Sequence, residues 1–136
     1  MNALDGDAYD VVTIAAVAND TGMLRLALSL QGSPKNITSP YDGTALIAAA
    51  HLGHVDVVLQ LIGAGAPLDH VNNLGWTALI EAVILGDGGL RHTRIVAALI
   101  KAGADASIAD RQGVSPLAHA RAKGYDAIIA VLERAK

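Results

Sequence analysis

The chain alternates short apolar segments with breaks that contain glycine. Between Gly43 and Ala66, two apolar runs are separated by Leu52-Gly53-His54. Because glycine disfavours a continuous helix, this segment predicts a helix, a turn, a second helix and a loop. The same phrase begins again 33 residues later, where Thr77-Ala78-Leu79 stands in place of Thr44-Ala45-Leu46.

Two further copies extend the pattern along the chain. A third phrase opens at Ser115, 38 residues after Thr77, and a degenerate earlier copy places Asn19 where the next copy has Gly53. Asn is the substitution expected there, because it tolerates the left-handed backbone that ends a helix. Thr44, Thr77 and Ser115 are typical N-cap residues. The second helices are predicted over Val55–Ile62, Thr93–Ile100 and Asp126–Leu132.

Such repeats predict an all-α stack, because one helix pair cannot bury its apolar face without a neighbour. The phrases resemble the ankyrin repeat, with the pattern Asp-x-x-Gly-x-Thr-Pro-Leu-His-x-Ala-Ala-x-x-Gly-His before a Val-Val helix and Gly-Ala-Asp. The second repeat keeps Thr44, Leu46, Ala49-Ala50 and Gly53-His54. The chain is also similar to a group of bacterial ankyrin proteins that are often exported.

The resemblance implies one ankyrin-repeat solenoid of about four helix-turn-helix repeats joined by turn or hairpin loops. The repeats are expected near 7–38, 39–71, 72–109 and 110–136, with a five-residue insertion near 87–91 that forms a loop. Two interpretations of the insertion stay open: tolerated drift, or a loop that offers Arg91 to an acidic group on a partner.

Two departures from the family pattern carry structural expectations. The histidine of Thr-Pro-Leu-His, which ties the turn in the family, is replaced by Ile47, Ile80 and Ala118. The turns are therefore expected to rely on hydroxyl caps and packing. The order Leu59-Gln60 predicts an exposed leucine and a buried amide that bonds a backbone carbonyl or rotates the helix slightly.

Composition excludes several classes of function. A formal charge of −3 with mixed signs does not predict a nucleic-acid partner, and no apolar run approaches the roughly 18 residues that predict a membrane helix. The N-terminus has no basic and apolar signal. We expect a cytoplasmic protein for the chain as given, or a periplasmic or exported one if a signal peptide was removed.

Candidate chemistry is sparse. His51 and His54 lie three residues apart without further ligands nearby in sequence, and His54 and His92 fall at the family's Gly-His position, where a structural role at a helix start is expected. Asp87-Gly88-Gly89 lacks the Lys-Ser/Thr of a phosphate-binding loop. Glu81 is expected to be solvated or to face a groove. No catalytic residue, metal or cofactor is predicted, so the chain is not expected to be an enzyme.

The resemblance implies a non-catalytic module that binds a protein partner through turn tips and the inner helix face, as a monomer. An alternative is an accessory or regulatory subunit of an enzyme assembly, or a domain that binds a small ligand or a metal. Trp76 is expected in an exposed turn, either as a binding anchor or packed on Tyr41 or a neighbouring turn. The candidate partner-binding residues are Tyr41, His51, Leu52, Asn73, Leu74, Trp76, Glu81, Leu85, Arg91, Arg111, Gln112 and Lys123.

Overall fold

The fold is known from a computed structural model that describes residues 11–29 and 44–135. Within these ranges there are eight helices and no strand, which confirms the all-α prediction. The longest, α6, has 13 residues, and none of the helices in the two ranges has the length and apolar character needed to cross a bilayer. The helices are α1 (Val11–Val17), α2 (Thr21–Ser29), α3 (Ala45–Leu52), α4 (Val55–Gly63), α5 (Ala78–Ile84), α6 (Leu90–Ala102), α7 (Pro116–Lys123) and α8 (Asp126–Arg134).

The predicted caps are confirmed. The hydroxyl of Thr44 accepts the Ile47 N–H at 3.4 Å, and Thr77 and Ser115 cap α5 and α7 in the same way. Side chains of this kind satisfy one of the backbone donors that a helix start leaves without an internal partner. Asn19 has φ 57° and so adopts the left-handed conformation predicted for it.

The helices form two layers. The first helices of the four pairs, α1, α3, α5 and α7, contact one another in order along one layer, and α2, α4, α6 and α8 do so along the other. Ala49, Ala50 and Ala82 are completely buried in the first layer. Because alanine has the smallest side chain that still favours a helix, these positions let adjacent repeats approach closely.

Side-chain hydrogen bonds also link successive repeats. His54 Nδ1 bonds the Ala16 carbonyl at 2.9 Å, and His92 Nε2 bonds the His51 carbonyl at 2.9 Å. In the last repeat the Tyr125 hydroxyl donates to the Gly86 carbonyl at 3.2 Å. Each bond begins near the start of a second helix; the first two reach the end of the preceding repeat's first helix, and the third reaches the loop that follows α5. The structural role expected for His54 and His92 is therefore confirmed.

The insertion takes a different form from the predicted loop. The loop covers residues 85–89, and Leu90 and Arg91 form the first turn of α6, which begins three residues before the predicted start at Thr93. The helix gains this turn because Gly89 precedes it in extended conformation and its carbonyl accepts the Thr93 N–H at 3.0 Å. The insertion thus supplies helical residues as well as a loop.

The prediction for the reversed pair Leu59-Gln60 in α4 is confirmed for the leucine. Leu59 is 50% exposed, as predicted. Gln60 is half-buried, and its Oε1 is buried without a hydrogen-bond partner among the residues that the structure describes. This acceptor is therefore not satisfied there, and the predicted bond from the Gln60 amide N–H to a backbone carbonyl stays a prediction.

Candidate functional site

The turn before α5 is built around one asparagine. The Asn72 Oδ1 accepts the N–H groups of Leu74 at 3.0 Å and Trp76 at 3.1 Å. The backbone closes the same turn, because the Asn72 N–H donates to the Trp76 carbonyl and the Gly75 N–H to the Asn72 carbonyl. Asn and Asp favour such turns because their short side chains bond the backbone two or more residues ahead.

The turn before α7 repeats this arrangement with different residues. The Asp110 Oδ1 accepts the N–H groups of Gln112 at 3.0 Å and Val114 at 2.9 Å, and its own N–H donates to the Val114 carbonyl. The bond from Val114 is the main cause of the lowered pKa of Asp110, with smaller contributions from His119 and Gln112. Both turns therefore have the same backbone scaffold.

Each turn is also tied to the helix that follows it. Asn72 Nδ2 donates to Glu81 Oε2 at 2.8 Å, and His119 Nε2 bonds Asp110 Oδ2 at 2.7 Å. The expectation that these turns rely only on hydroxyl caps and packing is therefore wrong, because the residue after the missing family histidine supplies the tie. A signal was present in the sequence, since both pairs have polar residues nine positions apart.

Glu81 differs most from its predicted environment. It is 5% exposed, so of the two expected environments, solvated or facing a groove, the solvated one is wrong: its helix lies between α3 and α7, and Asn72 binds it from the turn. Burial raises the pKa of Glu81, and the Asn72 hydrogen bond opposes part of that rise. His51 Nδ1 lies 3.6 Å from the second carboxyl oxygen. Burial, and then the charge of His92, lower the pKa of His51.

The turns present a set of side chains that we call the tip surface. Leu74 is 42% exposed at the apex of its turn, and Trp76, which was expected in an exposed turn, is half-buried beside it. The stem of Arg111 covers Gly75, where an added Cβ would lie 2.6 Å from Arg111 Cγ. Tyr41, the predicted packing partner of Trp76, lies outside the described residues. The tip surface comprises Asn73, Leu74, Trp76, Arg111 and Gln112.

A second set of candidate residues lies at the opposite ends of the inner helices and is called the helix-end surface. Leu52 and Leu85 are 39% and 42% exposed at the ends of α3 and α5. His51 and Lys123 are exposed in the last turns of α3 and α7, and Lys123 Nζ lies 5.8 Å from the centroid of the Tyr125 ring. Arg91 is exposed in the second layer, on α6. The structure thus divides the predicted binding residues between two ends of the helix pairs. The helix-end surface comprises His51, Leu52, Leu85 and Lys123.

The two closely spaced histidines do not form a joint site. His54 is bonded to the Ala16 carbonyl, whereas His51 faces Glu81. Among residues 11–29 and 44–135 no group of three or more His, Asp or Glu side chains is arranged to hold a metal ion.

Comparison with known proteins explains the shared scaffold of the turns. A family model for three copies of ankyrin repeats matches residues 12–110. The chain belongs to the ankyrin-repeat family. The ankyrin repeat protein YahD of Escherichia coli (strain K12) is 30% identical over 133 residues, which span 97% of this chain and 66% of YahD. The human mitochondrial disaggregase is 33% identical over 89 residues, or 65% of this chain and 12% of that protein.

Solved ankyrin structures show the same architecture. An ankyrin repeat domain from Acinetobacter baumannii AYE (ABAYE2397) superposes with a TM-score of 0.87 at 42% identity, covering 99% of this chain and 69% of that one. The ankyrin repeat protein EF0377 gives a TM-score of 0.83 at 34% identity, covering 93% of this chain and 64% of that one. Ankyrin repeats are generally protein–protein interaction modules, and their fold is typically non-catalytic.

Proposed function

We propose that this ankyrin-repeat protein is a non-catalytic module that binds a partner protein through its tip surface and its helix-end surface. One observation carries the proposal. The turns before α5 and α7 share the same hydrogen-bonded scaffold, yet their apex residues differ, with Asn73-Leu74 in one and Arg111-Gln112 in the other. A constant frame with variable tips is suited to recognition, because binding residues on rigid scaffolds lose little entropy when they bind.

Leu74 and Trp76 are the strongest anchors on the tip surface. The Asn72 side chain holds both backbone N–H groups, so the two side chains are presented from a fixed turn. Trp76 is half-buried, which leaves part of its ring for a partner while the rest packs on the protein. Partly exposed tryptophans dominate many interfaces, because one ring buries a large area with few rotatable bonds.

The partner can be captured by a photo-crosslinking amino acid at position 74 in cells that express the protein. Position 59 provides the matched control, because Leu59 is similarly exposed but lies on the outer helix α4. We expect one protein to be crosslinked from position 74 and not from position 59. A protein that crosslinks equally from both positions would argue against a role for the tip surface.

Trp76→Ala should weaken binding of the captured partner by about tenfold or more, which corresponds to about 1.4 kcal/mol. The melting temperature of the variant should stay close to that of the wild type, because the Trp76 ring is only partly packed. The control variant is Val114→Ala, because Val114 occupies the position of Trp76 in the turn before α7 and its N–H likewise bonds the residue that organises the turn. Unchanged affinity together with a large fall in melting temperature would show that Trp76 is structural. A melting temperature that falls when a chelator is added would favour the alternative of a metal-binding accessory domain.

A further inference from the structure

The loop between α5 and α6 is held by contacts from two repeats. The Asp87 Oδ1 accepts the Gly89 N–H at 2.8 Å and lies 3.2 Å from His92 Nδ1. The Tyr125 hydroxyl of the next repeat donates to the Gly86 carbonyl at 3.2 Å. The loop residues are therefore fixed by polar contacts to their own repeat and to the next one.

Two glycines bring the loop into close contact with two rings. A Cβ at Gly86 would lie 2.5 Å from His92 Cδ2, and a Cβ at Gly88 would lie 2.4 Å from Tyr125 Cδ1. Gly88 also has φ 73°, which side chains rarely adopt. The loop thus lies against the His92 and Tyr125 rings, with no space for a side chain at positions 86 and 88.

Three exposed leucines border this packed loop. Leu52 precedes Gly53, whose added Cβ would lie 3.0 Å from His92 Cε1, and Leu85 precedes Gly86. Leu90 lies two residues before His92 in the first turn of α6. Their exposures are 39%, 42% and 65%. Each of the three leucines therefore lies within two residues of Gly53, Gly86 or His92, and both glycines lie against the buried His92 imidazole. Exposed apolar side chains that gather on one part of a protein surface commonly mark interaction sites.

Uncompensated positive charge lies beside the leucines. Arg91 and Arg94 are exposed on α6, and neither guanidinium forms an ion pair with any described residue. The Asp87 carboxylate, the nearest acid in the sequence, already accepts the Gly89 N–H and faces His92. The charge is positive here although the whole chain carries −3. A docked segment with acidic side chains would therefore complement this surface.

We propose that these residues form a docking surface for a protein segment that combines leucine-like apolar side chains with Asp or Glu. We call the surface the loop-side rim, and it consists of Leu52, Leu85, Leu90, Arg91 and Arg94. The proposal rests on the proposed function, since its occupant is a protein segment, and extends it to α6. Leu90 and Arg91 belong to the insertion and have no counterpart in the other repeats. The rim therefore gives repeat three a specificity that its neighbours lack.

The test uses the full chain as bait for a displayed library of random dodecapeptides. We expect the enriched peptides to combine leucine-like residues with Asp or Glu. Their affinity should fall about tenfold or more in Leu90→Ser and in Arg91→Glu, and it should weaken as salt is added, because the charges are exposed. The melting temperatures of both variants should remain close to that of the wild type, because Leu90 and Arg91 are exposed.

Two exposed positions away from the rim serve as controls. Leu59→Ser removes an exposed leucine from α4, and Lys101→Glu reverses an exposed charge at the other end of α6. The proposal is overturned if no peptide is enriched, if the enriched peptides lack acidic residues, or if the controls reduce binding as much as the rim variants. If binding depends on Trp76 and not on Leu90, the rim fails while the proposed function stands.

Discussion

Two residue pairs fasten their turns to the following helix with hydrogen bonds that run in opposite directions. In repeat three the turn residue Asn72 is the donor and the helix residue Glu81 the acceptor, whereas in repeat four the turn residue Asp110 accepts from His119 on the helix. The geometry is the same because the spacing is the same. The chemical consequence differs, because the buried carboxyl group of Glu81 faces a neutral amide, whereas that of Asp110 faces an imidazole. A buried polar group costs free energy unless it is fully bonded.

Glu81→Gln should therefore change how stability depends on pH. Burial raises the pKa of Glu81, so the folded protein holds this proton at a pH where the unfolded chain has lost it, and stability falls as the pH rises from about 4. Gln can still accept from Asn72 but cannot ionise. We expect the free energy of unfolding of the variant, taken relative to that of the wild type, to be higher at pH 7 than at pH 4. Urea unfolding at both pH values measures this difference.

The other glutamate in the chain provides the control. Glu133 is half-exposed and forms an ion pair with Arg121 at 2.6 Å on the surface. Surface pairs of this kind contribute little to stability, so Glu133→Gln should show a smaller difference between the two pH values. An equal difference for the two variants would mean that burial of Glu81 does not control its ionisation.

The inserted loop shows how one element can be adapted without disturbing the stack. It lies between α5 and α6, and a Cβ added at Gly86 or Gly88 would collide with the ring of His92 or Tyr125. The tyrosine occupies the position at which His54 and His92 stand in earlier repeats, and it likewise bonds a carbonyl in the preceding repeat. The side-chain hydrogen bond that links repeats three and four therefore runs to the loop.

Gly88→Ala should destabilise the protein by about 2 kcal/mol or more. The left-handed backbone alone costs about 1–2 kcal/mol for alanine, and the new Cβ would also displace the Tyr125 ring. Gly113→Ala isolates the first effect, because Gly113 has φ 78° and no atom within 4 Å of its added Cβ. Denaturant unfolding should show a larger loss for Gly88→Ala. Equal losses would mean that the ring moves aside without cost.

The molecule as a whole is stabilised by the contact of each repeat with the next. Helix α3 packs against both α1 and α5, and its small buried residues determine how closely these helices approach. The family likeness to the Acinetobacter domain extends over 99% of this chain, so this stacking is shared with an independently solved relative. Stability in such solenoids depends mainly on interfaces between neighbouring repeats.

Ala50→Leu should overpack this stack and cost about 1–3 kcal/mol in free energy of unfolding. Ala50 has no exposed surface, so a larger side chain must push helices apart. Ala97→Leu is the control, because Ala97 is exposed on α6. Denaturant titration should show a loss for Ala50→Leu only. If Ala50→Leu were as stable as the wild type, the first layer would have to be more open than the structure shows.

By itself the sequence determined the helix pairs and their stacking. The hydroxyl caps at Thr44 and Thr77 and the left-handed Asn19 were predicted correctly, because each depends on bonds within a few residues. Ala49, Ala50 and Ala82 are fully buried, since the repeat pattern places them on a face that only a neighbouring repeat can cover.

Only the tertiary structure decided the environments of Glu81, Trp76 and the loop. Glu81 is covered by helices from adjacent repeats, and the Tyr125 hydroxyl meets the Gly86 carbonyl 39 residues away. Such environments depend on how side chains from distant parts of the chain come together. Periodicity specifies which repeats are neighbours, but the position of each ring and carboxyl group follows from packing between those repeats.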